Sequence, residues 1–77
     1  MLSELDLVVL TEDLPEEHLK AGDVGTIVHV HQNGAAFIVE FMTLAGQTIA
    51  VTTVEASQVR AVASSDVSHA RSMETPA

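Results

Sequence analysis

Apolar residues alternate with polar ones along much of the chain, and a period of two is typical of a β-strand that buries one face. The pattern predicts strands over residues 5–11, 24–31, 35–42 and 47–54, and a short fifth strand over 59–62. The first of these segments is partly apolar on both faces, which indicates that both faces are covered. We therefore predict an all-β protein.

The connections between these strands carry turn signals. Residues 32–34, Gln-Asn-Gly, contain the strongest short signal for a hairpin, and residues 43–46 provide the next turn. Residues 55–58 are too few for an α-helix and fit a single turn of 3₁₀ helix. Gly25 is unusual inside a strand and predicts a bulge, a sharp bend or the close approach of another backbone.

The longest connection, residues 12–22, is acidic, and we refer to it as the acidic loop. Pro15 suits the first position of a helical turn, and the acids that follow it favour the positive end of a helix dipole. Leu14 and Leu19 are the expected inward anchors. The loop is therefore predicted to be structured.

The order of elements is strand, long loop, strand, hairpin, strand, turn, strand, helical turn and short strand. This is the order found in SH3-like barrels, in which strongly bent strands wrap a small core. We therefore predict a small five-stranded SH3-like barrel with one short helical turn over residues 1–62. The alternation stops there, and residues 63–77 are predicted to be a disordered C-terminal tail.

In-phase alternation on three consecutive strands predicts the hydrophobic core, because residues two apart on a strand share a face. Since Phe37 and Phe41 are the only aromatic residues, the core must consist mainly of aliphatic side chains. The residues predicted to be largely buried are Val28, Val30, Phe37, Val39, Phe41, Ile49 and Val51. Glu40 marks the outer face of the third strand.

The chain has 77 residues and no cysteine. A domain of this size buries only about 60% of the surface that its unfolded chain exposes, and neither a disulfide nor a thiolate-bound metal supplements its core. A small core, exposed edge strands and a first strand that is apolar on both faces leave surface to be covered. Strand addition or exchange between chains is a common remedy, and we predict a homodimer.

Acidic residues dominate the charge: eleven Asp and Glu face three Lys and Arg, which gives a net charge of −8. Such a field repels phosphate backbones and anionic headgroups, which argues against nucleic acid and membranes as partners. No apolar run approaches the ~20 residues of a membrane span. Residues 1–6 lack the basic start of a signal peptide, so a cytoplasmic location is expected.

The acids are concentrated in the first third of the chain, where seven of them face a single base, Lys20. The predicted partner-binding residues are Glu12, Asp13, Glu16 and Glu17. A docking face of this kind steers a basic protein towards it and raises the association rate. The alternative is a solvated surface that keeps a small β-protein soluble and discourages edge-to-edge pairing.

His29 and His31 lie two apart on one strand and therefore share a face. They are candidate metal ligands, with a third ligand to come from His18 or Glu40 through the fold. Two histidines without a supporting cysteine or carboxylate motif do not define a metal site. The alternative is a pair of half-exposed surface histidines, and we predict no metal or other cofactor.

The sequence contains no motif of a catalytic site: it has no Gly-x-Ser-x-Gly elbow, no cysteine and no phosphate-cradling glycine loop. We therefore expect a protein that is not an enzyme. Recognition of proline-rich peptides needs an aromatic-lined groove, and RNA-binding barrels need stacking aromatics beside a basic groove. The chain has neither Trp nor Tyr, which argues against both functions.

Residues 19–30, Leu-Lys-Ala-Gly-Asp-Val-Gly-Thr-Ile-Val-His-Val, form the most specific of several recognisable stretches. The others are residues 4–11, 13–15, 39–41 and 56–60. On these stretches the chain resembles a family of small bacterial proteins known as domain of unknown function number forty-nine twenty-six. The resemblance covers residues 4–62. It implies an SH3-like fold and a gene placed beside other small genes, which favours a partner protein, and it implies no activity.

Residues 21–28 are also similar to the glycine-containing start of a strand in KOW-type barrels, which often bind RNA or ribosomal proteins. The leading hypothesis is a non-enzymatic acidic interaction module, antitoxin-like, immunity-like or an accessory subunit, that binds a basic protein. The alternative is a KOW-like module in a nucleic-acid-associated assembly. An enzyme or metal site built across a homo-oligomer is a third hypothesis.

Overall fold

All five strands lie close to the segments that the alternation predicts. The computed structural model of the chain describes residues 2–73. Its strands, which we name β1 to β5, are Leu7–Leu10, Val24–His31, Ala36–Met42, Thr48–Glu55 and Val59–Ala61. Single 3₁₀ turns that join β1 to β2, β2 to β3 and β4 to β5 lie at Pro15–Glu17, Gln32–Gly34 and Ala56–Gln58. The all-β prediction is confirmed.

The strands form one antiparallel sheet in the order β4-β3-β2-β1-β5. The last strand of the chain returns to pair with the first, so that Val8 in β1 lies opposite Gly25 of β2 on one side and Ala61 of β5 on the other. This order, with a long loop after β1 and a 3₁₀ turn before β5, is that of an SH3-like barrel. The predicted fold is therefore confirmed, with three 3₁₀ turns within residues 2–73 where the sequence predicts one short helical turn.

The hydrophobic core receives side chains from all five strands and from the acidic loop. Its buried members are Val8, Leu10, Leu19, Ile27, Phe37, Val39, Phe41, Val54 and Val59. The predicted core residues Phe37, Val39 and Phe41 are among them, and Val30 and Ile49 pack against the cluster while remaining partly exposed. The core prediction is thus confirmed for β3 and needs correction on the strands that flank it.

β1 is covered on both faces, as the sequence predicts for its central residues. Val8 and Leu10 belong to the core, and Val9, which faces the opposite way, is only 6% exposed. Leu7, at the start of the strand, is exposed.

The predicted phase of β2 was wrong at Val28, which is 39% exposed. Gly25 and Ile27 are the buried residues of the first half of this strand instead. The register against β3 shifts between Ile27 and His29, which makes Val28 the extra residue of a β-bulge. Beyond the bulge the phase changes, and Val30 turns towards the core. Alternation does not reveal this bulge, because the residues on both sides of the slip are apolar.

Gly25 confirms one of the alternatives predicted for it, the close approach of a neighbouring strand. A Cβ atom at this position would lie 2.5 Å from Cγ1 of Val39 and 2.8 Å from Cε1 of Phe41. The backbone oxygen of Glu40 would be 2.9 Å away. β3 therefore passes too near for any side chain, and glycine is required here for lack of space.

The predicted phase of β4 was wrong at Val51, which is 57% exposed. Val51 lies opposite Glu40, and residues directly opposite in an antiparallel pair share a face, so both point outwards. The inner face of β4 carries Ala50 opposite Phe41, and further along Val54. Ala50 is partly buried against the core, and the larger Val51 lies outside.

The described part of the predicted tail, residues 63–73, contains no helix and no strand, in agreement with the sequence. Its predicted mobility stays a prediction, and residues 74–77 of the same prediction lie outside the described residues. Within residues 2–73, no helix is long and apolar enough to cross a membrane.

Candidate partner-binding surface

The acidic loop is held in a fixed conformation by its own backbone. The Leu14 N–H donates to the Leu19 carbonyl (2.9 Å), and the Leu19 N–H donates back to the Leu14 carbonyl (3.1 Å). Leu19 is 1% exposed and Leu14 is partly buried, so both are the inward anchors that the sequence predicts. Between them Pro15–Glu17 forms the 3₁₀ turn, which His18 closes with a left-handed backbone (φ 60°). The tip of the loop is thus a closed turn above the buried side chain of Leu19.

Asp13 has a structural role at the base of the loop. Its carboxylate accepts a hydrogen bond from the Ala21 N–H (2.8 Å), which ties the two ends of the loop together. Asp23, just beyond the loop, accepts in the same way from the Lys20 N–H (2.9 Å). Both carboxylates satisfy backbone donors that the turn would otherwise leave unpaired. Asp13 therefore belongs to the framework of the loop.

The other three predicted partner-binding residues fall into two groups. Glu12 contacts the 3₁₀ turn before β5, where its carboxylate accepts a hydrogen bond from Nε2 of Gln58 (3.3 Å). Glu16 is exposed and Glu17 is half-buried, and neither side chain forms a hydrogen bond or ion pair with another described residue. Of the four predicted residues, Glu16 and Glu17 are therefore the two whose carboxylates are uncommitted within residues 2–73.

A groove lies beside the acidic loop, and residues 69–73 of the tail lie over it. Beneath the tail the groove leaves two open halves, of about 230 and about 490 Å³. Leu19 and Ile49 give both halves an apolar floor, and Arg71 and Met73 of the tail also line both. Asp23 borders the smaller half, and Asp13 and Glu17 border the larger one. An apolar floor with an acidic border suits a segment that carries both apolar and basic side chains. Two of the four predicted residues lie on this groove.

The tail places a basic side chain in the groove. Nε of Arg71 donates to Oδ1 of Asp23 (2.9 Å), while Nη2 donates to Oδ2 of the same carboxylate and to the His18 carbonyl (3.1 Å). The Arg71 and Asp23 side chains are 28% and 20% exposed. Two parallel N–H···O bonds make this the stronger, bidentate form of an arginine–carboxylate pair.

The protonation of both partners follows from this contact. Partial burial by itself raises the pKa of the Asp23 carboxyl group, but the hydrogen bonds from Arg71 and from the Lys20 N–H, with the positive charges of both residues, bring that pKa below its ordinary value. The hydrogen bond to Asp23 also raises the pKa of Arg71. Both groups are therefore charged at neutral pH.

A second ion pair fixes the start of the tail. Two guanidinium nitrogens of Arg60, in β5, donate to the two carboxylate oxygens of Asp66, each at 2.9 Å. The Ala63 N–H donates to the same carboxylate at 2.6 Å. The hydrogen bond from Arg60, followed by that from Ala63, lowers the pKa of Asp66 to about 2. Both arginines of the chain are thus paired with its own carboxylates.

Sequence reasoning missed the contact between Arg71 and Asp23. The two residues are 48 positions apart, and Arg71 lies in a segment without periodicity. The available signal was charge: Arg71 is the one base of residues 63–77, in a chain whose first third is dense in acids. That signal indicates attraction, but it does not select one acid among seven.

The two candidate metal ligands lie on one face, as predicted. The rings of His29 and His31 pack edge to face with their centroids 4.5 Å apart. Glu40, one proposed third ligand, accepts a hydrogen bond from the Thr48 hydroxyl (2.7 Å). Residues 2–73 contain no cluster of three or more His, Cys, Asp or Glu that could hold a metal ion.

These features define a class of protein: a small, acidic SH3-like barrel with a groove beside its longest loop. Residues 4–61 match the family model of a domain of unknown function, DUF4926, and the chain belongs to this family. The match confirms the resemblance seen in the sequence, includes all five strands and the acidic loop, and ends before the tail. Comparisons with curated proteins and with solved structures found no match.

Proposed function

We propose that the protein is a non-enzymatic interaction module whose acidic loop docks onto a basic partner protein. The proposal rests on Glu16 and Glu17, whose carboxylates form no hydrogen bond or ion pair among the described residues. The backbone that carries them is nevertheless held by hydrogen bonds. A carboxylate that is engaged within the chain must give up that contact before it binds a partner. These two carboxylates have no such contact to lose within residues 2–73.

The fixed backbone supports binding because a segment that is already ordered loses less conformational entropy in a complex. The loop is anchored by the buried Leu19, closed by its hydrogen bonds with Leu14 and tied at its base by Asp13. A flexible acidic tail of the same charge would have to be ordered on binding.

The overall charge supports a basic partner. The net charge is −8, and both arginines are paired within the chain. Exposed charges at the edge of an interface mainly set the association rate and its salt dependence. The partner's contact face is therefore expected to be rich in Lys and Arg. An antitoxin-like or immunity-like protein that masks a basic toxin or nuclease fits this description, as does an accessory subunit, and a cytoplasmic location is part of the proposal.

The proposal is tested by affinity purification from the native host with three baits: the wild type, Glu16→Lys and Glu4→Lys. Glu4 is exposed and lies outside the acidic loop, so the two variants change the net charge equally and differ in where the change falls. Mass spectrometry should identify a basic protein that wild type and Glu4→Lys retain and that Glu16→Lys retains poorly.

Two other results would contradict the proposal. Equal loss with both variants would mean that total charge matters and the loop does not. Capture that depends on RNA, and is lost after nuclease treatment, would favour the KOW-like alternative of a nucleic-acid-associated module.

A further inference from the structure

We infer that the groove is a binding site for an arginine-bearing segment of the partner, and that residues 69–73 of the chain's own tail occupy it as a competing ligand. The identity of the partner segment rests on the proposed function. The occupation of the groove by the tail does not, and it can be tested on the protein alone. For residues 69–73 it departs from the disorder that the sequence predicts for residues 63–77.

The polar contacts in the groove select arginine. One guanidinium group donates to both carboxylate oxygens of Asp23 and, through a shared nitrogen, to the His18 carbonyl. A lysine ammonium group is a compact point charge and does not reproduce this planar, forked arrangement of donors. The carbonyl is available because His18 ends the 3₁₀ turn in the left-handed conformation. The site is therefore built partly from the backbone of the acidic loop.

The apolar floor selects the neighbours of that arginine. Met73 is half-buried and lines both halves of the groove, and Ala70 lines the smaller half. Leu19 and Ile49 line the same two halves. Methionine is unbranched and flexible, so it fills an irregular groove of this kind well. A competing segment is thus expected to carry an arginine with a large, flexible apolar residue two positions later.

The tail is an addition to the domain that forms the groove. The family match ends at residue 61, whereas the groove is lined on its other sides by residues within the match. The ion pair between Arg60 and Asp66 holds the start of the tail against β5, so only residues 67–70 separate this anchor from Arg71. A short tether of this kind gives the tail an effective concentration of about millimolar at the groove.

The contact between Arg71 and Asp23 is open to competition from another segment. Arg71 and Asp23 are both partly exposed, so solvent reaches the pair and salt screens it although its geometry is bidentate. A partner segment with more apolar contact than Ala70 and Met73 provide would therefore replace the tail. A partner segment would therefore bind only where its affinity for the groove exceeds that of the tethered tail.

The first experiment measures tail order in the full-length protein by backbone ¹⁵N relaxation. Residues 69–73 of the wild type should have clearly higher order parameters than the same residues of Arg71→Ala and Asp23→Asn, which should fall below the ~0.6 of flexible backbone. Arg71→Lys keeps the charge and loses the forked contact, so its value should lie between these. A tail that is as flexible in wild type as in Arg71→Ala would overturn the inference. So would order that disappears on dilution, because the tail would then occupy the groove of a second copy.

The second experiment tests the groove with a labelled synthetic peptide of residues 66–77. A tail that covers the groove four-fifths of the time lowers the affinity for a competitor about fivefold, so the peptide should bind Arg71→Ala about fivefold more tightly than wild type. The same peptide carrying Arg71→Ala should not bind, nor should the wild-type peptide bind the Asp23→Asn protein. Equal binding to wild type and Arg71→Ala, or binding that does not depend on the peptide arginine, would overturn the inference.

Different results would contradict the inference about the groove and the proposed function. If a basic partner binds and Glu16→Lys weakens it, but Arg71→Ala leaves its affinity unchanged, the inference about the groove is wrong and the acidic loop remains the docking site. If the tail and peptide results hold but no basic protein binds, the proposed function is wrong, and so is the assignment of the groove to a partner.

Discussion

Replacement of Gly25 by alanine would place a methyl group where the barrel leaves no room. The added carbon would lie 2.5 Å from Cγ1 of Val39 and 2.8 Å from Cε1 of Phe41, both buried core side chains. It would also lie 2.9 Å from the backbone oxygen of Glu40, in the strand that pairs with β2. A side chain can rotate away from such a contact, but a paired backbone cannot move without disturbing the sheet.

The expected cost is large compared with the stability of so small a domain. Overpacking of a well-packed core typically costs about 1–3 kcal/mol, and three contacts below van der Waals distance place this substitution at the upper end. A domain of this length has a total stability of roughly 5 kcal/mol. We therefore expect Gly25→Ala to lower the melting temperature by roughly 10–20 °C.

Urea denaturation and thermal melts of wild type, Gly25→Ala and Gly46→Ala measure this effect. Gly46 has a positive φ of 89°, and a Cβ atom there would meet no atom within 4 Å. Its replacement by alanine therefore tests the cost of the backbone conformation without steric crowding, and should lower the free energy of unfolding by about 1–2 kcal/mol. Val39→Ala combined with Gly25→Ala should cost less than the sum of the two single changes, because it removes one of the crowded atoms. A Gly25→Ala protein within 1 kcal/mol of wild type would refute the reasoning.

Three further predictions concern the core, the tail and self-association. Phe41→Ala should cost about 3–5 kcal/mol, whereas Val51→Ala on the outer face should cost less than about 0.5 kcal/mol; equal losses in denaturant melts would contradict the corrected phase of β4. The pKa of Asp66 is lowered from 3.8 to about 2, so its contribution to stability is present above about pH 3.8 and is lost as the pH falls towards 2. The difference in melting temperature between wild type and Asp66→Asn should therefore vanish near pH 2, and a difference that persists there would be evidence against the ion pair. Sedimentation equilibrium at micromolar concentration should show a homodimer, and the 8.1 kDa species alone would rule it out.

The positions of the strands could be predicted from the sequence because alternation is a local property. Each of the five strands begins and ends within about two residues of its predicted bounds. The long loop was also predictable, since Pro15 and the two leucines around it carry local signals. Alternation does not reveal which face the side chains of a strand occupy beyond a bulge, because one extra residue moves every later side chain to the other face. Val28 illustrates this limit.

The candidate surface was predictable to a smaller extent. The density of acidic residues in the sequence located the loop, but the four predicted residues have different roles. Asp13 ties the loop together and Glu12 contacts Gln58. The carboxylates of Glu16 and Glu17 form no hydrogen bond or ion pair among the described residues. These roles depend on which backbone N–H groups each carboxylate meets after folding. The groove was not predictable, because its walls come from segments distant in the sequence.

The central claim is that the acidic loop is a docking face, and association kinetics test it most directly. Once a partner is identified, stopped-flow measurements at about 10 mM and about 1 M salt, where the screening length falls from about 30 to about 3 Å, should compare wild type with Glu16→Lys/Glu17→Lys. The double reversal adds four positive units to a net charge of −8 and so halves it. We predict an association rate at least about tenfold slower than wild type at low salt and a much smaller difference at high salt, with the melting temperature nearly unchanged. Equal association rates at both salt concentrations would contradict the account and leave the loop as a solubilising surface.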